Sequence, residues 1–302
     1  MIRIAHFSDI HVLSLEGVTP RDFLNKRATG AVNLAFNRAR QYRVEIFERL
    51  LETVTALAVD HTVCTGDLVN LALPAEFTRV QALLDATFDE GSLTLVPGNH
   101  DYYVEAVRGA DDRTLFERTF SKYLPHDLQV SDDIYPITRV LPGIAIVGLS
   151  SAVSTPAFFA TGNVGLAQLE AARRALGSEE ATSRFRLLLI HHPLLSAPGR
   201  PLNLMRRLVD ADEVKDRLTA DPRVRPHLVV HGHNHVFLRE SLPGTDTPII
   251  QVAAGSRHRV GHFAEFNVYC VEGDVLVGVE RHIYDPRDDR FVAHDEAGRA
   301  CA

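Results

Sequence analysis

The sequence predicts an α/β fold that passes into a β-rich C-terminal third, on three observations. Short apolar runs recur from the N-terminus onward, helical periods lie between many of them, and the last runs succeed one another with no helix between. Buried strands are predicted at Ile2 to Phe7, Thr62 to Cys64, Leu93 to Val96, Ile144 to Leu149, Leu187 to Ile190 and Leu228 to Val230. Val44 to Leu57 places Ile46, Leu50, Leu51, Val54 and Leu57 at helix spacing, and Ala75 to Phe88, Leu166 to Leu176 and Val214 to Leu218 repeat that signal more briefly. Near the end, Ile249 to Val252, Phe266 to Val271 and Val275 to Val279 read as strands, with Glu272-Gly273-Asp274 as a hairpin turn.

A chain of 302 residues with 45% hydrophobic content can bury a sizeable core. No internal repeat and no long Pro/Gly/Ser linker divides it, so one domain is expected over 1–284. The polar, aperiodic stretch from Asp285 is expected to be a flexible tail over 285–302. A net charge of −7 with 24% charged residues argues against a generally basic nucleic-acid binder, and no stable nucleic-acid complex is expected. The N-terminal apolar run stops at Asp9, too early for a signal-peptide core, and nothing approaches the roughly 20 apolar residues of a membrane span. Cys64, Cys270 and Cys301 have no zinc-knuckle or redox-pair spacing, which leads us to expect a cytoplasmic location.

The chemistry is carried by the residues at the ends of the strands. Ile4 to Phe7 leads into Asp9 and His11, Thr62 to Cys64 into Gly66-Asp67, and Leu93 to Val96 into Gly98-Asn99-His100-Asp101. Leu187 to Ile190 leads into His191-His192-Pro193, and Leu228 to Val230 into His231-Gly232-His233-Asn234-His235. Strand ends are where open α/β sheets place their sites. Imidazole with carboxylate and amide oxygen, and no thiolate, suits Mn, Fe, Zn or Ni. Alone, Asp-x-His or Gly-Asp is more often a turn or helix cap; as an ordered set the blocks are specific, because burying so many ionisable groups without a metal is costly.

This order resembles the calcineurin-like metallophosphoesterase family, whose pattern is Asp-x-His, Gly-Asp, Gly-Asn-His-Asp/Glu, His and Gly-His-x-His. All five blocks stand here, between Asp9 and His235. The resemblance implies two packed, mostly mixed β-sheets flanked by helices in a four-layer sandwich. It also implies two divalent or mixed-valence transition-metal ions. One would be held by Asp9, His11 and His235, the other by Asn99, His191 and His233, with Asp67 bridging both. Two cations roughly 3.5–4 Å apart can activate a shared water and bind phosphoryl oxygens, so a metal-bridging hydroxide would attack phosphorus. His100 would contact the phosphate or protonate the leaving oxygen, and Asp101 would orient it. His6, His192 and His231 flank the motifs and read as packed histidines; His258 and His262 line either the pocket mouth or a solvated loop.

Residues 20–43 carry six basic residues against Asp22, a local balance of +5, and Asn25-Lys26-Arg27-x-x-Gly30-x-x-Asn33 resembles an insert of some bacterial family members. The segment is either a cap helix or a feature that draws in an anionic substrate or touches an acidic membrane. Overall length and motif spacing resemble the bacterial class III cyclic-nucleotide phosphodiesterase branch, which implies a small nucleotide substrate. A phosphomonoesterase or a lipid-headgroup pyrophosphatase would use the same metals with different loops at 12–42, 151–164 and 194–209. A non-catalytic scaffold on this fold would be expected to have lost ligands that are all present here.

Overall fold

The computed structural model describes residues 1–19, 27, 41–103, 113–196 and 203–295. Its strands are β1 (Ile2–Phe7), β2 (His61–Cys64), β3 (Leu93–Leu95), β4 (Ile137–Leu141), β5 (Ile144–Gly148), β6 (Phe185–Leu189), β7 (Leu228–His231), β8 (Leu238–Ser241), β9 (Pro248–Gln251), β10 (Glu265–Glu272), β11 (Val275–Asp285) and β12 (Arg290–Asp295). The helices of at least nine residues are α1 (Val44–Leu57), α2 (Pro74–Thr87), α3 (Leu166–Leu176) and α4 (Ala211–Thr219), among the described residues.

Two mixed six-stranded sheets result, in the orders β12-β11-β10-β1-β2-β3 and β4-β5-β6-β7-β9-β8. In the first, β1, β2 and β3 are parallel, while β10, β11 and β12 extend the sheet antiparallel from β1. In the second, β5, β6, β7 and β9 are parallel and both edge strands are antiparallel. These are the two packed mixed sheets with flanking helices that the motifs implied.

Burial on both faces explains why the parallel strands read as continuous apolar runs. Along β6, Phe185, Leu187 and Leu189 join the large core shared with β1, β2 and α1, whereas Leu188 packs with Leu169 and Leu176 of α3 and Val214 of α4. Along β7, Leu228 and Val230 face the first cluster and Val229 the second. The amphipathic stripe of α1 is buried as its spacing predicts, through Ile46, Phe47, Leu50, Leu51 and Val54. Because β1, β2 and β3 are parallel, and β6 and β7 likewise, the loops after them emerge at the C-terminal ends of their strands.

The C-terminus corrects the expected tail over 285–295. The Gly273-Asp274 turn joins β10 to β11, which runs on to Asp285, and β12 pairs antiparallel with it, Phe291 opposite Tyr284. The polar residues 285–290 form only the connection, while Phe291 packs on Phe266 and Tyr284 with ring centroids at 5.3 and 5.5 Å. Cys64 is buried and free. No described helix is long and apolar enough to cross a membrane.

Phe291→Ala is expected to cost about 3 kcal/mol by removing a mostly buried ring from the edge of the core, read as a lower urea midpoint at constant m value. A loss below about 1 kcal/mol would mean that the strand contributes no more than a loose tail.

Candidate metal centre

The loops after β1 and β2 are zipped together by backbone hydrogen bonds: Asp9 N–H donates to Gly66 O (2.9 Å), His11 N–H to Asp67 O (3.0 Å) and Val12 N–H to Leu68 O (2.9 Å). The approach is close enough to demand glycine. Gly66 has φ +89°, and a Cβ there would strike the backbone of Pro97 and Gly98. At Gly232 a Cβ would strike the Ser8 and Asp9 side chains. The result is a set of interlocked turns in which Asp9, His11, Asp67, His233 and His235 all have positive φ, between 52° and 77°. Non-glycine residues in this region cost roughly 1–2 kcal/mol each, and such outliers gather at functional sites.

Side chains from these turns converge in a dry gap. Asp9, His11, Asp67, His191 and His233 are at most 1% exposed, and Asn99 is 7% exposed. Asp9, His11, Asp67 and His235 each offer one ligand atom, all within 4.8 Å of one another. Beside them, His191 Nε2 lies 3.5 Å from Asp67 Oδ2, 3.2 Å from Asn99 Oδ1 and 3.2 Å from His233 Nδ1. Asp67 Oδ2 is also 3.8 Å from His11 Nε2, so one carboxylate oxygen stands between the two groups. All seven residues singled out as ligands in the sequence are thus brought together around Asp67.

The outer atoms of these side chains are already committed. His191 Nδ1–H donates to Thr65 O (2.7 Å) and His233 Nε2–H to Arg206 O (2.9 Å), which points Nε2 of His191 and Nδ1 of His233 inward. His235 pairs through Nδ1 with the Tyr42 hydroxyl (2.6 Å), and its Nε2 lies 3.0 Å from Asp9 Oδ1. Asp9 Oδ2 accepts from His233 N–H (2.9 Å) and Asp67 Oδ1 from His100 N–H (2.7 Å). What remains is a cluster of ligand-type atoms facing one another, with Asp9 Oδ1 3.0 Å from His235 Nε2 and 3.8 Å from His11 Nε2. Two buried carboxylates ringed by imidazoles suit a cation, and outward hydrogen bonds of this kind orient metal-binding imidazoles.

Titration points the same way. Burial would push the Asp9 carboxyl up, yet His235 and His191 hold it below its ordinary range. Burial likewise opposes ionisation of Asp67, and His191, His100 and His11 draw it well down. Burial disfavours the His191 imidazolium, but Asp67 and Asp9 keep its pKa at about 9. A field that holds a proton on a wholly buried imidazole is one in which a metal would compete with that proton. For His233, burial together with the nearby His192 and His191 lowers the pKa well below the usual value, leaving a neutral ring.

The two residues expected to be catalytic separate. His100 Nδ1–H donates to Asn70 O (2.6 Å), and its ring meets that of His11 edge-on at 4.7 Å, against the first ligand group. Asp101 does not orient it. Its Oδ2 accepts from Asp67 N–H and Gly98 N–H (both 2.8 Å), and its Oδ1 from Leu68 N–H (3.0 Å) and Val69 N–H (3.2 Å). Asp101 therefore clamps the turn that presents Asp67; burial and the Asp67 charge push its own pKa up to about 7 against those donors.

His6, bonded to Tyr269 and Thr65, and His192, bonded to Ser151, are packed histidines as expected, as is buried His231. Their pKa values fall, chiefly through burial, to about 3, 3 and 4. His258 packs near Phe263 and Tyr284, and His262 is exposed. Of the basic segment, Arg27 is described: it donates to Leu71 O and Ala72 O, a structural use for that cation. Lys26 and Arg38 lie outside the described residues. Sequence reasoning missed Tyr42, Thr65, Asn70 and Arg206, three of which act through main-chain carbonyls that have no side-chain signature.

Fold and site together define a metal-binding phosphoesterase architecture. The family model for calcineurin-like phosphoesterases matches residues 2–237, and the chain belongs to that family. No curated protein sequence matches it. Among solved structures it resembles the purple acid phosphatase PPD1 of yellow lupin, Lupinus luteus, at 11% identity and TM-score 0.58, covering 97% of this chain and 52% of that one. The chain thus spans about half the length of that phosphatase. Wild-type Vps29 of Entamoeba histolytica complexed with zinc matches at 9% identity and TM-score 0.41 over 97% of this chain and 99% of that one. A predicted phosphoesterase from Streptococcus pneumoniae TIGR4 matches at 10% identity and TM-score 0.38 over 99% and 98%.

If Asp101 is a clamp, Asp101→Ala is expected to lower the stability of the metal-free protein by roughly 3–5 kcal/mol, since four backbone N–H groups lose a charged acceptor. Urea unfolding in EDTA measures this. Unchanged stability with lost turnover would return Asp101 to a catalytic role.

Proposed function

We propose that this protein is a metal-dependent phosphodiesterase acting on a nucleotide-type substrate. The observation that carries the reading is the pair of abutting ligand groups that share Asp67 Oδ2. Two cations bound there would lower the pKa of a shared water and neutralise phosphoryl oxygens. The preference for a diester rests on overall length and motif spacing, which resemble those of the class III cyclic-nucleotide phosphodiesterases.

The protein's own groups do the rest. Asp9 and Asp67 supply the negative charge that holds cations, and the fixed imidazoles supply neutral donors that leave the site's net charge low enough to accept a phosphate. In hydrolysis water adds to phosphorus, the P–O ester bond breaks and the leaving oxygen takes a proton. His100 would give that proton: with Nδ1–H committed to Asn70 O, its Nε2 is the ring atom that would carry it. Neither a serine nor a cysteine nucleophile is required.

His100→Ala is expected to retain normal metal content and lose about 100-fold or more in kcat on a diester with a ribose alkoxide leaving group. With p-nitrophenolate, which hardly needs a proton, the loss should be smaller. Equal losses on both would eliminate the acid role. A chain that binds two metals and hydrolyses no phosphoester, bis-p-nitrophenyl phosphate included, would be a scaffold.

A further inference from the structure

Four polar side chains cross the first sheet in a line that ends at the metal centre. Asn267 and Tyr269 stand on β10, His6 on β1 and Thr65 just past the end of β2, and none of the four is exposed to water. Register brings them together: His6 pairs with Asn267 and Ile4 with Tyr269 across β1 and β10, while Phe7 pairs with Cys64 across β1 and β2. Asn267 Nδ2–H donates to the Tyr269 hydroxyl (3.2 Å), which lies 2.8 Å from His6 Nδ1, and His6 Nε2 lies 2.9 Å from Thr65 Oγ1. The Thr65 carbonyl accepts from His191 Nδ1–H, so the line passes from one sheet into a ligand carried by the other.

Each hydrogen along the line has a place. With the Asn267 amide donating, the Tyr269 hydroxyl sends its own hydrogen to His6 Nδ1, and the imidazole is left with Nε2–H for Thr65 Oγ1. The neighbours Ile4, Phe266 and Val268 belong to the large apolar core, and apolar residues at His6 and Tyr269 would avoid the cost of drying polar groups there. What the polar groups supply is fixed geometry. Thr65 is held from β1 at two points, its N–H on Phe7 O (3.2 Å) and its Oγ1 on His6, which aims its carbonyl at His191. That contact turns Nε2 of His191 toward Asn99 Oδ1 (3.2 Å) and Asp67 Oδ2 (3.5 Å).

We propose that Thr65, His6 and Tyr269 are positioning residues of the metal centre: acting through the Thr65 carbonyl, they set the orientation of His191 and with it the affinity of the cation that His191 would share with Asn99 and His233. The proposal rests on the reading of the centre as a two-metal site and on no particular substrate. Loss of an outer hydrogen bond to a ligating imidazole lowers metal affinity or activity by about 10–100-fold.

Calorimetric titration of manganese into the metal-free full chain, with bound metal counted on the same samples, tests it without an activity assay. The wild type is expected to take up two ions. Thr65→Val, which matches threonine in shape but lacks Oγ1, should weaken one ion by about tenfold or more and leave the other unchanged. Tyr269→Phe, which deletes one buried oxygen remote from every ligand, should weaken the same ion to a lesser degree, and Thr65→Ser should restore wild-type affinity. If Thr65→Val and Tyr269→Phe bind both ions as the wild type does and show only a lower urea midpoint, the line serves packing alone and the proposal is overturned. Equal weakening of both ions would place the effect on Asp67 and not on His191, which also overturns it. A wild type that takes up no manganese would overturn the metal centre itself, a failure distinct from that of the variants.

Discussion

Two carboxylates and several imidazoles are aimed into one dry gap, and the surrounding structure is arranged to hold them there. Ionisable groups 3.0–3.8 Å apart and buried from water are costly to assemble. The chain adds five non-glycine residues in the left-handed region to present them. These costs are offset elsewhere: by the two-sided burial of β6 and β7, by the zipped loops after β1 and β2, and by the four backbone donors gathered on Asp101. A cation in the gap would convert the opposing acceptors into ligands, which makes metal binding and local stability parts of one balance.

Much of this was legible in the sequence. The ligand residues could be named because their side chains are the chemistry, and because each block ends an apolar strand run. The helix at Val44 to Leu57 and the hairpin at Gly273-Asp274 were legible because periodicity and turn chemistry are local signals. Less legible was anything set by the partner of a group. Asp101 sits in a catalytic-looking motif, yet four backbone N–H groups from two loops decide its role, and no sequence pattern records them. Tyr42 closes a segment whose charges attract attention, while its hydroxyl on His235 depends on a long-range approach. The strand at Arg290–Asp295 was hidden because edge strands are half-polar and its partner, β11, continues beyond the last clearly apolar residue.

The central claim is that Asp67 stands between two metal sites. Electron paramagnetic resonance of the manganese(II)-reconstituted protein, with metal content measured on the same sample, tests it most directly. Two manganese ions per chain are expected, with an exchange-coupled spectrum that is lost in Asp67→Ala. One ion per chain with the six-line spectrum of an isolated manganese(II), unchanged by Asp67→Ala, would contradict it.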